Sequence, residues 1–549
     1  MSTTVEPTVR IGGHVVVESL TALGADSVFG VPGIHALAIW EAMRTNGGLR
    51  AYGTRTELCA GFAADGYARS SGRPGVLLLS TGPGALNSLT ALMEAASSHV
   101  PVVAISSQIP RALMGRGRGF LHELPDQLGS FAPLVKRAAR AETAEAIPGL
   151  LAELWAHALT PPSGPVFLEI PVDVLAGETA VGPVSGLTGE PPWHAASRES
   201  VAAAAKVLSG GERPVIWAGG GVVRSGAQPE LVELAELLGC PVATTYMGKN
   251  AVPDDHPLAV GCGCDEGAFT ELMEGADVVL CVGTELGAET TRQYELRFSG
   301  EVVQIDAAPE RIGATYPALG VVGDAKLTLQ SLTARLREIG ITGASRRPES
   351  ESAVAALRAR IQDGLRAQGH DTELALLTTI EQAMPEDAIT VWDMTILGYW
   401  AAPHLRMRGT QQFLYPLGSG TLGYSWPATI GAAVAHPGQP VLGVVGDGGF
   451  QYALAELGTA RQHGLPAKLL VVDDGGYGIL RSYQKDAYGE TVAVDLAQPG
   501  FAALADAFGV PVREGAPEDL PGLLDWQFRV DGPAVAVVRG PIDVAGFTP

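Results

Sequence analysis

GDGGFQYALAELGTARQHGLPAKLLVVDDGGYG, residues 446–478, is the stretch whose reading decides the rest of the chain. A buried apolar run, Val441–Val445, leads straight into the glycine turn carrying Asp447. Gly446, Gly448 and Gly449 let backbone approach a bound group closely. A helix is expected from about Phe450 to His463, ended by Gly464 and Pro466. Its free N–H groups and dipole favour an anion. A second apolar run delivers Asp474 beside Gly475–Gly476, 474 − 447 = 27 residues after the first acid. Both acids then fall at the carboxyl ends of parallel strands, where α/β ligands bind. Two carboxylates, one backbone carbonyl, two phosphate oxygens and a water make the six oxygens that Mg²⁺ takes.

Working outward, 549 residues are too many for one core. Two stretches rich in Gly, Pro, Ser and charge, 176–197 and 341–352, lack helical or strand periodicity and read as linkers. They set off three expected domains, 1–180, 195–342 and 353–549. In each block short apolar runs alternate with helical segments: GVLLLS (75–80), PVVAISS (101–107) and PVFLEIPVD (165–173); PVIWAGG (214–220), DVVLCVG (277–283) and EVVQID (301–306); AITVWD (388–393), PVLGVVGD (440–447) and KLLVVDD (468–474). Continuous apolar strands of this kind are covered on both faces. The expected class is α/β, with three doubly wound parallel-sheet domains. YARSSGRPGVLLLSTGPG (67–84) and AAVAHPGQPVLGVVGDGG (432–449) also share one order: helix end, Gly-Pro turn, strand, glycine turn. That order points to duplication of the first block in the third.

A formal charge of −22 argues against nucleic acid and anionic membrane as partners, since both require basic surface. Five cysteines form no disulfide framework, and Cys262 and Cys264 lack the second pair a structural zinc site needs. The N-terminus carries no secretory pattern and no run approaches a membrane span, so a soluble, cytoplasmic protein is expected.

The 446–478 stretch resembles the motif of thiamine diphosphate-dependent enzymes, which begins with GDG and closes with an Asn pair. Here Asp473–Asp474 stand at the Asn positions. The resemblance implies thiamine diphosphate and Mg²⁺ as cofactors. It makes Asp447, the side chain of Asp474 and the carbonyl of Gly476 the metal ligands. Gly446, Gly448, Gly449, Tyr477, Gly478 and Ile479 join them as cofactor contacts. RTELCAGFAADGYAR (55–69) is similar to the family's stretch around its glutamate, which makes Glu57 the carboxyl group facing the aminopyrimidine. That contact favours the imino tautomer whose N4′ removes the thiazolium C2 proton, and burial would help Glu57 share a proton. PLGSGTLGYSWPATIGA (416–432) resembles the stretch that bends the cofactor. By that likeness Leu422 is the wedge and the Gly420 carbonyl accepts the N4′ hydrogen. Thr395, Ile396 and Leu397 line the diphosphate's other side. The three domains become, in order, pyrimidine-binding, central and diphosphate-binding. In this family the two cofactor-binding domains of one site come from different subunits, which implies a homodimer or homotetramer.

The resemblance implies decarboxylation of a 2-oxo acid, after which the enamine is protonated to an aldehyde or transferred to an aldehyde or ketone acceptor, as in acetolactate synthases. Two acids of simple pyruvate decarboxylases are replaced by Ile34 and Leu480. GRGRGFLHELPDQ (115–127) resembles acetolactate synthases and, in its LHExxDQ pattern, bacterial decarboxylases of guanidino 2-oxo acids. His35 and His122 are candidate acid–base groups, Gln127 a polar contact. Ile34, Ile479 and Leu480 outline an apolar wall for a substrate larger than pyruvate. WAGGGVVRSG (217–226) breaks the dinucleotide fingerprint at Arg224, so FAD is not expected. Two other readings remain open: a C–C lyase on a 2-hydroxyacyl or diketone substrate, and a non-catalytic scaffold. The scaffold reading requires loss of Glu57 or of the metal acids, and all are present.

Overall fold

A computed structural model describes residues 9–544. Three six-stranded sheets follow one another along the chain, and every strand pair in them is parallel. The first holds β1 (Ser27–Gly30), β2 (Arg50–Gly53), β3 (Gly75–Leu79), β4 (Val102–Gln108), β5 (Arg137–Arg140) and β6 (Val166–Pro171). The second holds β7 (Pro214–Ala218), β8 (Val242–Thr244), β9 (Ala259–Gly261), β10 (Val278–Val282), β11 (Glu301–Asp306) and β12 (Leu319–Val322). The third holds β13 (Ile389–Trp392), β14 (Gln412–Leu414), β15 (Val441–Gly446), β16 (Ala467–Asp473), β17 (Val512–Gly515) and β18 (Ala534–Arg539).

The first sheet runs β2-β1-β3-β4-β6-β5 and the third β14-β13-β15-β16-β18-β17. These are one order repeated, as the similarity of 67–84 to 432–449 predicts. The repeat extends to the turns after the matching strands. β3 opens into a four-residue helix, Pro83–Leu86, and β15 into another, Asp447–Phe450. The central sheet runs β12-β11-β10-β7-β8-β9, the doubly wound order of dinucleotide-binding domains.

The first and third domains pack through the helices Glu57–Ser71 and Ser425–Ala435, and glycines let them meet backbone to backbone. A Cβ on Gly431 would lie 1.8 Å from the Ala63 carbonyl oxygen, and one on Gly66 would lie 2.2 Å from that of Ala428. Buried beside this contact, Arg69 pairs with Asp65 at 2.6 Å and Glu94 at 2.8 Å. Tyr424 Oη donates to Asp65 at 2.6 Å.

Two local expectations are corrected. The helix expected over 450–463 starts at Asp447, stops after Phe450, and resumes as Glu456–His463. Tight turns intervene, with Tyr452 N–H donating to Gly449 and Ala453 N–H to Phe450. The second expected linker is half helix: Arg347–Ala367 begins within it, with proline in its first turn and Glu349 favouring the N-terminus. Its Val354, Leu357 and Leu365 are buried, so the expected boundary at 353 falls inside a packed helix.

Candidate cofactor site

At the carboxyl end of the third sheet the glycine turn and the second acid turn come together. Asp447 opens its short helix and is 1% exposed. One oxygen, Oδ2, accepts a short hydrogen bond from the Gln498 amide. The other, Oδ1, is buried without a partner among the described residues. Burial and the adjacent Asp474 carboxylate push Asp447 up to about 7, and burial also raises Asp474. Asp473 is turned away, paired with Arg539 at 3.2 Å. The Gly476 carbonyl faces the turn, 3.4 Å from where a Gly448 Cβ would stand. Gly476 itself has φ +149°, and a Cβ there would meet Val494 O at 2.1 Å, so only glycine fits.

Other glycines hold the walls close. A Cβ on Gly446 would lie 2.8 Å from Thr395 Oγ1, one on Gly448 2.7 Å from the Tyr477 ring, and one on Gly478 2.7 Å from Ile396 Cδ1. Thr395, Ile396, Gly446, Gly448, Tyr477 and Gly478 are thereby brought around one cradle. Ile479 follows on the helix Gly478–Tyr488 and packs, partly buried, against the apolar core that contains Ile396 and Leu397. Leu397 is different: its side chain is 1% exposed in the apolar core, which leaves its N–H, in the first turn of Ile396–His404, to face a ligand. Nowhere among the described residues do three His, Cys, Asp or Glu groups gather to hold a metal by themselves. Two carboxylates, one of them with an orphaned buried oxygen, and a carbonyl fit a hard cation whose remaining ligands would be diphosphate and water.

The loop with Gly420 and Leu422 stands over this cradle. Gly420 (φ +65°) and Gly423 (φ +78°) flank it, and a Cβ on Gly423 would meet Tyr452 Cβ at 2.5 Å. Asp393, at the tip of β13, accepts from Gly423 N–H at 3.2 Å, Ser425 N–H at 3.0 Å and Met394 N–H at 2.9 Å. Burial pushes its carboxyl up to about 6 despite those donors. On the other side Glu94 takes the Ser419 N–H and hydroxyl, each at 2.7 Å. Leu422 is therefore carried on a loop fixed at both ends.

The first domain gathers a second group around the turn 81–84. Glu57 begins its helix behind Thr56, which accepts from Cys59 N–H. Its half-buried carboxylate accepts from Asn87 Nδ2 at 3.2 Å, and Oε1 lies 3.0 Å from where a Gly84 Cβ would be. His122 packs on the same turn, its carbonyl 2.5 Å from where a Gly82 Cβ would be. The His35 and His122 rings meet edge to face at 5.3 Å, and neither Nδ1 has a partner among the described residues. Burial, then His122, lowers His35. Ser80 Oγ, below the turn, is also buried and unpartnered. Gln127 reaches the turn but is consumed by it. It is 1% exposed, accepts from Gly82 N–H at 2.8 Å, and donates to Ser107 O and Glu169. The role expected for Gln127 as a polar substrate contact is corrected to a buried brace.

Sequence reasoning missed Asp393, Gln498, Asn87 and Ser80. Asp393 ends an apolar strand run, a position that could have marked it. Gln498 lies in a loop 498 − 474 = 24 residues past Asp474, and no local pattern reveals it. A separate cavity of about 770 Å³ lies where the three domains meet, lined by Arg69, Gly220, Arg224 and Asp306 among others. None of the sequence-predicted site residues lines it.

Comparisons with known proteins agree with this geometry. Residues 10–130 match the thiamine pyrophosphate enzyme N-terminal TPP binding domain, 201–332 the central domain and 393–538 the C-terminal TPP binding domain. The chain is 37% identical over 510 residues to a probable 2-ketoarginine decarboxylase of Pseudomonas aeruginosa, covering 92% of this chain and 89% of the relative. It is 33% identical over 513 residues to an acetolactate synthase of Mycobacterium bovis, covering 91% and 82%. A probable acetolactate synthase large subunit of Methanocaldococcus jannaschii is 33% identical over 517 residues, covering 91% and 86%. With its two cofactor-binding domains, its glycine cradle and these relatives, the chain belongs to the thiamine diphosphate-dependent family of 2-oxo acid decarboxylases and acetolactate synthases.

Proposed function

We propose that the protein decarboxylates a 2-oxo acid larger than pyruvate, with a positively charged tail, at sites shared between two copies of the chain. The observation that carries the reaction is the cradle at Asp447, whose orphaned oxygen and close glycines suit Mg²⁺ and a diphosphate. The 37% identity to a probable 2-ketoarginine decarboxylase, together with the LHExxDQ stretch at 121–127, supports the substrate class.

Thiamine diphosphate, when bound, supplies an acidic thiazolium carbon and an electron sink next to the former carbonyl. The residues of this chain do the rest. Asp447, Asp474 and the Gly476 carbonyl would hold Mg²⁺ together with the diphosphate. Leu422 and the Gly420 carbonyl would hold the cofactor from the loop above the cradle, the carbonyl as a hydrogen-bond acceptor. Glu57, positioned by Asn87, holds the proton at pyrimidine N1′. His35 and His122 face the substrate side as the acid–base pair, and burial lowers His35, which favours its neutral, proton-accepting form. Ile34 and Leu480 are exposed in the single chain at 60% and 45%, and supply apolar wall.

Support for a shared site comes from both halves. Glu57 bonds within its own domain, and Leu37 and Leu121 near its half-site are 52% and 58% exposed. Tyr452 and Tyr483 beside the diphosphate half are 51% and 48% exposed. A second copy covers both. Among the described residues no helix is long and apolar enough to cross a membrane. The acetolactate synthase relatives favour a second outcome, transfer to an aldehyde or ketone acceptor. Incubating the protein with Mg²⁺, thiamine diphosphate and a panel of 2-oxo acids, with and without acceptors, separates the two by product mass. Aldehyde from 2-oxo-5-guanidinopentanoate supports the proposal, whereas turnover of pyruvate alone contradicts it.

A further inference from the structure

Three backbone N–H groups just ahead of His122 converge on one carboxylate. Glu123 Oε1 accepts from Gly117 N–H at 2.9 Å, and Oε2 accepts from Gly119 N–H at 2.7 Å and Phe120 N–H at 3.0 Å. Glu123 N–H donates to the Phe120 carbonyl at 2.8 Å, closing the turn 120–123 from the other side. Gly117 (φ +58°), Gly119 (φ +70°) and His122 (φ +67°) are left-handed, which bends N–H groups inward around an anion. His is one of the few side chains enriched in that conformation. The chain fills the hollow itself, with charge-assisted bonds to Glu123.

The turn so held carries two rings of the first-domain half of the site. Phe120 stacks on His35, with centroids 5.8 Å apart and planes 24° from parallel, and His122 meets the His35 ring edge to face at 5.3 Å. The His122 carbonyl seats the turn on 81–84, where a side chain at Gly82 would collide with it. His35 is 7% exposed against these two rings. We infer that Glu123 is the positioning residue of the acid–base pair, tying 117–120 into a turn that sets Phe120 and His122 against His35. This inference rests on the acid–base role proposed for His35 and His122, and holds for any 2-oxo acid the protein takes.

The charges around His35 leave burial and His122 as the groups that set it. Both lower it. The helices Leu37–Asn46 and Val172–Leu175 and the strand β4 pack on Ile34–Ala36. Glu41 pairs with Arg44 at 2.5 Å and Asp173 with Arg111 at 2.8 Å, while β4 carries no ionisable side chain. The stretch ahead of the turn adds Arg116 and Arg118, both exposed. Loosening the turn uncovers His35, and an imidazole returned to water rises toward its ordinary value.

The test records pH profiles of kcat/KM for wild type, His35→Gln, Glu123→Ala and Glu123→Gln, with the 2-oxo acid the protein turns over fastest. The three N–H bonds lie at the surface, where water can replace the carboxylate, so the Glu123 variants fold. His35→Gln abolishes the limb of the profile that belongs to His35 and so identifies it. Glu123→Ala moves that limb to higher pH and lowers kcat by about 10- to 100-fold, the cost of misplacing a reacting group by about 1 Å. Glu123→Gln keeps one acceptor and falls between. Thiamine diphosphate affinity with Mg²⁺, read by isothermal titration, stays within about two-fold, since the diphosphate is held by the third domain. An unmoved limb with kcat within about two-fold of wild type overturns the positioning role and spares the acid–base pair. A loss of cofactor affinity as large as the loss of kcat also overturns it, because Glu123 then only supports the fold. A His35→Gln profile that keeps the wild-type limbs overturns the acid–base pair and the inference together.

Discussion

The Gln498 side chain donates its amide to one oxygen of Asp447, whose other oxygen is buried with no partner. Next to it stands Asp474, a like charge that helps push Asp447 up to about 7. Such an arrangement is unfavourable without a cation. The raised value fixes the sign of its pH dependence. An Asp raised in the folded state contributes stability below its unfolded value near 4, and that contribution is lost as pH rises through about 7. Metal-free protein therefore melts at lower temperature at pH 8 than at pH 5.5. Mg²⁺ with thiamine diphosphate removes most of that difference. Differential scanning fluorimetry across pH, with and without both, checks it.

Asp474→Asn keeps an oxygen ligand and removes the like charge. The variant is expected to stay active and to lose much of the alkaline destabilisation of the metal-free protein. It also requires more Mg²⁺ for half-maximal activity, because a carboxylate binds a hard cation better than an amide. Titrating activity with Mg²⁺ and repeating the melting series reads both effects. Asp447→Ala, in contrast, is expected to abolish cofactor retention after desalting.

Asp393 ties three backbone N–H groups around the Leu422 loop. Asp393→Ala leaves those donors buried and unmet, a cost of about 1–3 kcal/mol each where no water enters. Leu422 then moves relative to the cradle. Thiamine diphosphate affinity should fall by at least about ten-fold, equal to about 1.4 kcal/mol. Isothermal titration with cofactor and Mg²⁺ measures it, and Asp393→Asn, which keeps one acceptor, should fall between.

Arg69 joins Asp65, Glu94 and the Tyr415 carbonyl in the contact between first and third domains. Arg69→Met strands two buried carboxylates and should destabilise the protein by about 3–5 kcal/mol. Urea unfolding is the measurement. Adding Glu94→Gln to that variant should restore part of the loss, since one of the stranded charges is removed.

Much of this architecture was legible in the chain. All nine apolar runs quoted from the sequence are strands, to within one or two residues at most ends, because buried parallel strands need unbroken apolar side chains. Nine strands went unread: the interior β1, β8 and β18, and all six edge strands, β2, β5, β9, β12, β14 and β17. The edge strands are three or four residues long, and several are partly exposed, as in Arg137–Arg140 and Val512–Gly515. The site divides the same way. Asp447, Asp474 and the glycines announce themselves by spacing, since close approach to a phosphate demands them. Asp393 and Gln498 act across the fold, and the consumption of Gln127 by Gly82 N–H and Glu169 is visible only once three strands meet.

The central claim is that Glu57 of one chain serves the Asp447 cradle of another. The most direct measurement is complementation between inactive variants. Glu57→Gln is expected to lose at least about 100-fold in turnover, as removal of a proton-holding group does, and Asp447→Ala to lose cofactor. Co-expressed with different affinity tags and purified through both, the two chains form a mixed assembly. In it, one site pairs the two altered residues and the other pairs the two native ones, so about half of wild-type turnover returns by the symmetry of a dimer. A mixed assembly as inactive as either parent would place Glu57 and Asp447 of one site on the same chain and contradict the account.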